Sequence, residues 1–192
     1  MVRKSLFVLI PLVFVVFGPT MVFSQSKNSD IANFISSAYS SKTFSTAPVE
    51  QKDLELILQC GIRAPSARNS QPWHFTVIKD LETMKRIIPD ALKGNILIIV
   101  SGYDQSDHAA AISFDCALPT ENMYLAAQSL GLGSHIYTGP IANLNAKYRD
   151  SVGIPAGYIG VSILKIGNTA QPADATSSAS ARKADSEVVT YH

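Results

Sequence analysis

Residues 96–101 read Ile-Leu-Ile-Ile-Val-Ser, an aliphatic run with no polar break until its last position. Side chains along a strand alternate between two faces. A run that is apolar at every position therefore describes a strand covered on both sides. It is also too short for a buried helix to be the better reading. Such a strand belongs inside a layered domain, with other elements packed on each face of its sheet.

The flanking sequence supplies those layers. Residues 30–38 predict a short helix with Ile31, Phe34 and Ile35 on one face. Pro48 opens a second helix, whose buried stripe is Leu54, Ile57, Leu58 and Ile62, and Pro65 ends it. Trp73–Lys79 alternates as a strand, and Leu81–Ile88 predicts a short helix. A long helix is expected from about Ala109 to Leu130, kinked or split at Pro119. Gly131 and Gly133 then supply a helix stop rather than a dinucleotide fingerprint, which would follow a strand. Ser134–Tyr137 reads as a strand, Ile141–Ser151 as a helix and Tyr158–Ile166 as a strand. After Gly167 the chain turns to Ala, Ser, Thr and Asp, and its last apolar pair is Val188-Val189. No internal repeat is visible.

The N-terminus has a different character. Arg3 and Lys4 precede an apolar run from Leu6 to Phe17, which Gly18 and Pro19 break. Ser24 offers a cleavage point, with Gln25 as the mature start. This is the pattern of a signal peptide over 1–24, leaving 25–192 as one exported domain, periplasmic or extracellular. The alternative is an uncleaved membrane anchor through residues 6–23. The formal net charge of +1 shows no basic excess, so nucleic acid is not an expected partner. Export would permit a disulfide between Cys60 and Cys116, but both lie in apolar helical surroundings and read as buried free thiols. The four histidines are scattered without ligand spacing, so no metal site is expected.

No nucleophile triad, acid–base pair or phosphate loop stands out, and no partner can be named for His74, His108 or His135. One segment is distinctive. A helix ends in Ala64-Pro65-Ser66-Ala67, and a strand starts at Pro72-Trp73. Small residues here allow a flat ligand to approach the backbone. Exposed N–H groups and the Ser66 hydroxyl offer donors to an anion. The same residues also suit a plain tight connection between helix and strand. Trp73 reads as a core residue, and Cys116 and Tyr124 read as helix-face residues.

Ala64-Pro65-Ser66-Ala67-Arg68-Asn69-Ser70-Gln71-Pro72-Trp73-His74-Phe75 closely resembles the signature of the nitroreductase family of FMN flavoproteins. Ser40-Ser41-Lys42-Thr43-Phe44 is similar to that family's N-terminal flavin motif. Glu121 to Ala127 with Leu130 to Ser134 resembles its central helix, and Gly153 to Tyr158 its entry to the last sheet strand. Arg182-Lys183 and Glu187-Val188-Val189 resemble its C-terminal segment. The likeness spans roughly 38–192. The short stretch between Pro89 and Ile96 resembles a compact subgroup.

The resemblance implies an α+β fold, a three-layer sandwich. A central mixed, mainly antiparallel sheet would be flanked by helices, in an intertwined homodimer with FMN at the interface. Residues 168–192 would form an arm wrapping the partner subunit. Ser40 would lie near the phosphate or ribityl chain, and Lys42 near the N1/O2 edge of the flavin. Pro65, Ser66, Ala67 and Asn69 would reach the site from the partner subunit. Thr138 and Gly139 would present backbone N–H groups to N5 and O4. Arg182 would neutralise the phosphate. No side chain need act as acid or base, since the flavin carries the chemistry. The implied activity is ping-pong hydride transfer from NAD(P)H to a nitroaromatic, quinone or similar conjugated electrophile. The alternative is an exported flavin-binding protein with a non-nicotinamide reaction or no turnover. One departure favours it: Ala38 stands where the family usually has an arginine.

Overall fold

A computed structural model describes residues 29–103, 109–170 and 181–192. The segment read as a signal peptide or anchor lies outside the described residues, as do 171–180 of the arm. Among the described residues nine α-helices and strands precede the C-terminal segment. They are α1 (Ser29–Ser37), α2 (Gln51–Ile62), β1 (Trp73–Ile78), α3 (Leu81–Ile87), β2 (Ile96–Tyr103), α4 (Ala109–Ser129), β3 (Gly133–Tyr137), α5 (Ile141–Asn143) and β4 (Tyr158–Gly167). A last helical turn, α6 (Asp185–Val188), lies in the C-terminal segment. Among the described residues no helix is long and apolar enough to cross a membrane.

The sheet has the order β1-β2-β4-β3, and each of these pairings is antiparallel. Strand β2 sits inside it, and its aliphatic run divides between two cores as the alternation requires. Ile96, Ile98 and Val100 face α2 and α4, where Leu54, Ile57, Cys116, Met123 and Ala127 meet them. Leu97 and Ile99 face the opposite layer of Met84, Ile87, Ile88, Leu144 and Ile154. Burying each such side chain contributes about 1.5–3 kcal/mol, so two full layers anchor this strand. Three layers result, with β1 and β3 as the outer strands of the four.

Helix α4 is continuous through Pro119, so of the two outcomes expected there the split does not occur. Proline removes one backbone hydrogen bond and costs a helix about 3 kcal/mol. Tertiary burial outweighs that cost here. Cys116, Met123 and Ala127 are fully buried between α2 and the sheet. The Thr120 hydroxyl also donates to the Cys116 carbonyl at 2.7 Å, and it pairs with Ser162 on β4 at 2.8 Å. The helix stop is as read. Gly131 adopts φ +78°, and the Leu132 N–H returns to the Ala127 carbonyl at 3.0 Å.

The helix expected over Ile141–Ser151 is shorter and partly wider in kind. Only Ile141–Asn143 is α-helical, and a π-helical turn continues it over Leu144–Tyr148. Asn145 explains the distortion in part. Its side chain accepts from the Gly160 N–H at 2.8 Å and donates to the Gly160 carbonyl at 2.9 Å, which ties the turn to β4.

Candidate functional site

The loop after α2 is built under strain. Arg68, Asn69 and Gln71 have φ of 54°, 55° and 47°, three L-residues in the left-handed region within four positions. Asparagine tolerates this region, whereas arginine and glutamine each pay of order 1 kcal/mol or more. The loop holds the conformation with its own polar groups. Asn69 N–H donates to the Ser66 carbonyl and Ser70 N–H to the Ala67 carbonyl, both at 3.0 Å. The Gln71 N–H donates to the Ser66 hydroxyl at 2.9 Å. The Ala67 N–H donates to the Asp115 carboxylate on α4 at 3.1 Å.

Most N–H groups that the sequence offered to an anion are therefore used inside the protein. The loop is a rigid platform more than an anion nest. Ser66 accepts from Gln71 and keeps its own hydroxyl proton for another acceptor. Pro65, Ala67 and Asn69 are exposed and Ser66 half-buried. Beside them Arg68, Tyr103, Ile112 and Asp115 line a cavity of about 230 Å³. Asp115, only 5% exposed, is a supporting residue that the sequence did not reveal.

The second cluster gathers at β3. Ser41 is buried between two exposed neighbours, Ser40 and Lys42. Its N–H donates to the Ser134 carbonyl at 2.9 Å, and its hydroxyl accepts from the Ser134 N–H at 3.2 Å. Its carbonyl meets His135 Nδ1 at 3.0 Å. Gln128 extends this zipper, accepting from the Tyr39 N–H at 3.2 Å and donating to the Ser134 hydroxyl at 2.9 Å. Thr138 and Gly139 follow the end of the same strand and are exposed. A Cβ built on Gly139 would meet nothing within 4 Å, so open space adjoins this backbone.

Beneath this cluster lies a buried charge. The Lys165 side chain is 1% exposed, and its Nζ sits 2.7 Å from the Asp90 carboxylate. It also lies 4.5 Å above the Phe44 ring and 5.4 Å from that of Tyr137. Burial raises the Asp90 carboxyl, but the hydrogen bond and charge of Lys165 outweigh it and hold the group below its ordinary value. Burial holds His135 below its ordinary value, opposed by the bond to Ser41. Burial, with the charge of Asp115, pushes the Cys116 thiol up to about 12. Both cysteines are free, Cys116 buried and Cys60 half-buried.

The predicted site residues thus fall into two groups on one chain. Ser40, Lys42, Thr138 and Gly139 collect along β3. Pro65, Ser66, Ala67 and Asn69 collect at the start of β1. These strands are separated by β2 and β4, a width of about 14 Å at normal strand spacing. One chain does not bring the two groups together. Arg182 belongs to the exposed segment 181–192, whose link to the domain lies outside the described residues. Ala38 is half-buried and packs against the core beside Leu132 and Tyr39, with a cavity at its side.

The comparisons with known proteins agree with this architecture. The model of the nitroreductase family matches residues 35–99, which contain both the Ser40–Lys42 segment and the strained loop. A protein of Archaeoglobus fulgidus, named for NADH dehydrogenase or NAD(P)H nitroreductase activity, is 30% identical over 137 residues. That alignment covers 66% of this chain and 78% of the relative. An FMN-bound nitroreductase from Bacteroides fragilis superposes with a TM-score of 0.68 at 21% identity, covering 85% of this chain and 98% of that one. Another with bound FMN, from Desulfitobacterium hafniense, gives 0.69 at 20% identity, covering 87% and 100%. At these identities the superpositions carry the fold. The chain belongs to the nitroreductase family.

Proposed function

We propose that this chain is an FMN-dependent NAD(P)H oxidoreductase that works as a homodimer. One observation carries the reading: the two clusters of residues that the family resemblance assigns to flavin stand at opposite edges of a single sheet. A second copy, turned so that its strained loop meets the first copy's β3, would complete each site. The exposed C-terminal segment supports this. Val188, Val189 and Tyr191 are 63%, 43% and 92% exposed, an apolar stretch suited to cover another chain.

The donor set fits FMN. Open space beside Gly139 admits a flat ring against the Thr138–Gly139 backbone, and the two N–H groups would orient it. Lys42 would hold positive charge at the ring edge that becomes anionic on reduction. The Ser40 hydroxyl and the Arg182 guanidinium suit the ribityl and phosphate groups. Pro65, Ser66, Ala67 and Asn69 from the second copy would close the opposite side and exclude water. The chemistry FMN supplies is two-electron transfer, with hydride taken from NAD(P)H and delivered to a nitroaromatic, quinone or similar conjugated electrophile. The protein's part is orientation and charge, so this reading asks no side chain to act as acid or base.

Ala38 favours a second reading, an exported flavin protein with a non-nicotinamide donor or no turnover. Its methyl offers no charge where the family usually has arginine. We place the mature domain outside the cytoplasm after cleavage at Ser24, or tethered to the membrane through residues 6–23. Purified protein should be yellow, release FMN on denaturation, and bleach on addition of NADH or NADPH. Protein that is colourless and cannot be reconstituted with FMN contradicts both readings. Bleaching by dithionite but by neither nicotinamide contradicts the first alone.

A further inference from the structure

We propose that His135 is a positioning residue for Lys42, acting through the carbonyl of Ser41. The inference rests on the reading of Lys42 as a flavin-edge cation. A carbonyl only accepts, so Nδ1 of His135 carries a proton and donates it to Ser41 at 3.0 Å. The Ser41 carbonyl and the Lys42 nitrogen belong to one rigid peptide plane. Holding that carbonyl sets the orientation of the plane from which Lys42 departs. The two bonds between Ser41 and Ser134 fix the other side of Ser41, through its N–H and hydroxyl. They leave the following peptide to His135. The imidazole is itself braced, with its ring 4.5 Å from that of Tyr137.

His135 is also a charge switch at this position. The groups that face it are Lys42 from the segment between α1 and α2, Lys165 from β4, Asp90 from the turn after α3, and Tyr137 from its own strand. Protonation keeps the Nδ1 donor and adds a positive charge between two lysines, only one of which is paired with a carboxylate. Lys42 would then be pushed away from the histidine while the local field becomes more positive. A flavin held here should show a pH-dependent midpoint potential that the histidine sets.

The test uses the purified FMN-loaded protein and four variants: His135→Ala, His135→Asn, Lys42→Met and the double variant His135→Ala/Lys42→Met. FMN affinity is read by fluorescence titration and the midpoint potential by redox titration against pH, with thermal melts as a check on folding. His135→Ala should weaken FMN binding about fivefold, the worth of one neutral hydrogen bond. It should also lower the midpoint potential and remove its extra pH dependence. His135→Asn, whose amide nitrogen stands near the place of Nδ1, should restore affinity but not the pH dependence. In the Lys42→Met background, His135→Ala should change affinity no further. Full additivity of the two substitutions overturns the role of His135 while leaving Lys42 in place. A Lys42→Met variant with unchanged affinity and potential overturns the placement of Lys42, and the proposal with it. A His135→Ala variant that melts earlier but binds FMN normally marks His135 as structural only and overturns the proposal.

Discussion

Ala67 donates its backbone N–H to the carboxylate of Asp115, 3.1 Å away and 48 residues further along the chain. This bond ties the strained loop to the N-terminal third of α4. Without it, the left-handed Arg68, Asn69 and Gln71 would rest only on bonds within the loop itself. Asp115→Ala should cost about 1.5–3 kcal/mol, the range for a hydrogen bond to a charged group. It should also weaken FMN binding more than its effect on folding would suggest. Asp115→Asn keeps an acceptor and should lose less of both. Urea denaturation with and without added FMN measures the two effects separately.

The pair Lys165–Asp90 should be asymmetric in mutation. Asp90→Ala leaves a fully buried ammonium without its carboxylate. Loss of one partner from a buried pair costs about 3–5 kcal/mol, and water reaching the Asp90 side reduces this to roughly 2–3 kcal/mol. Lys165→Met leaves only a carboxylate that is 62% exposed and able to hydrate. It should be neutral or stabilising. Denaturant midpoints of the two variants at neutral pH decide the order.

Acid stability should fall in two stages. His135 has a folded value below its ordinary 6.5, so the folded protein resists its protonation. Stability is therefore lost as pH falls below about 6.5, until the folded group also titrates. Asp90 has a folded value below its ordinary 3.8, so its contribution is complete above that point. It disappears as pH falls through the folded value. His135→Asn should flatten the upper stage and leave the lower one. Unfolding free energies measured from pH 8 to pH 3 show whether the stages separate in this way.

Much of the fold was legible because its signals are local. The aliphatic run of β2, Leu54 and Ile57 in the stripe of α2 and the glycine after α4 each state their role within a few residues, whereas Ile62 of that stripe is 46% exposed. A split at Pro119 was avoided because the burial of Cys116, Met123 and Ala127 against distant elements outweighs a local rule. The proposed site was suggested by a family signature at Ser40, Lys42 and Ala64–Phe75. It was not legible at Asp115 and His135. Their partners lie 48 and 94 residues away in the chain, and no spacing announces a contact made only by folding. His135 looked unpartnered for this reason alone.

Ala38→Arg should restore a cation beside Ser40. A charge-assisted contact to the phosphate contributes about 1.5–3 kcal/mol, or roughly ten- to hundredfold in affinity. FMN titration of the variant against the parent chain measures it. An unchanged affinity would mean that the phosphate lies elsewhere or that Arg182 and Lys183 already saturate it.

The central claim is that each flavin site is assembled from two chains. Subunit complementation tests it most directly. One variant carries Ser40→Ala and Lys42→Met and is defective along β3. The other carries Ser66→Ala and Asn69→Ala and is defective in the strained loop. Each alone should bind FMN weakly. Unfolded together and refolded, they should form mixed dimers in which one site has both intact halves and the other has neither. Tight FMN binding should return at one site per mixed dimer. If mixing restores no tight site while both variants fold and dimerise, the two halves do not meet across chains and the account is wrong.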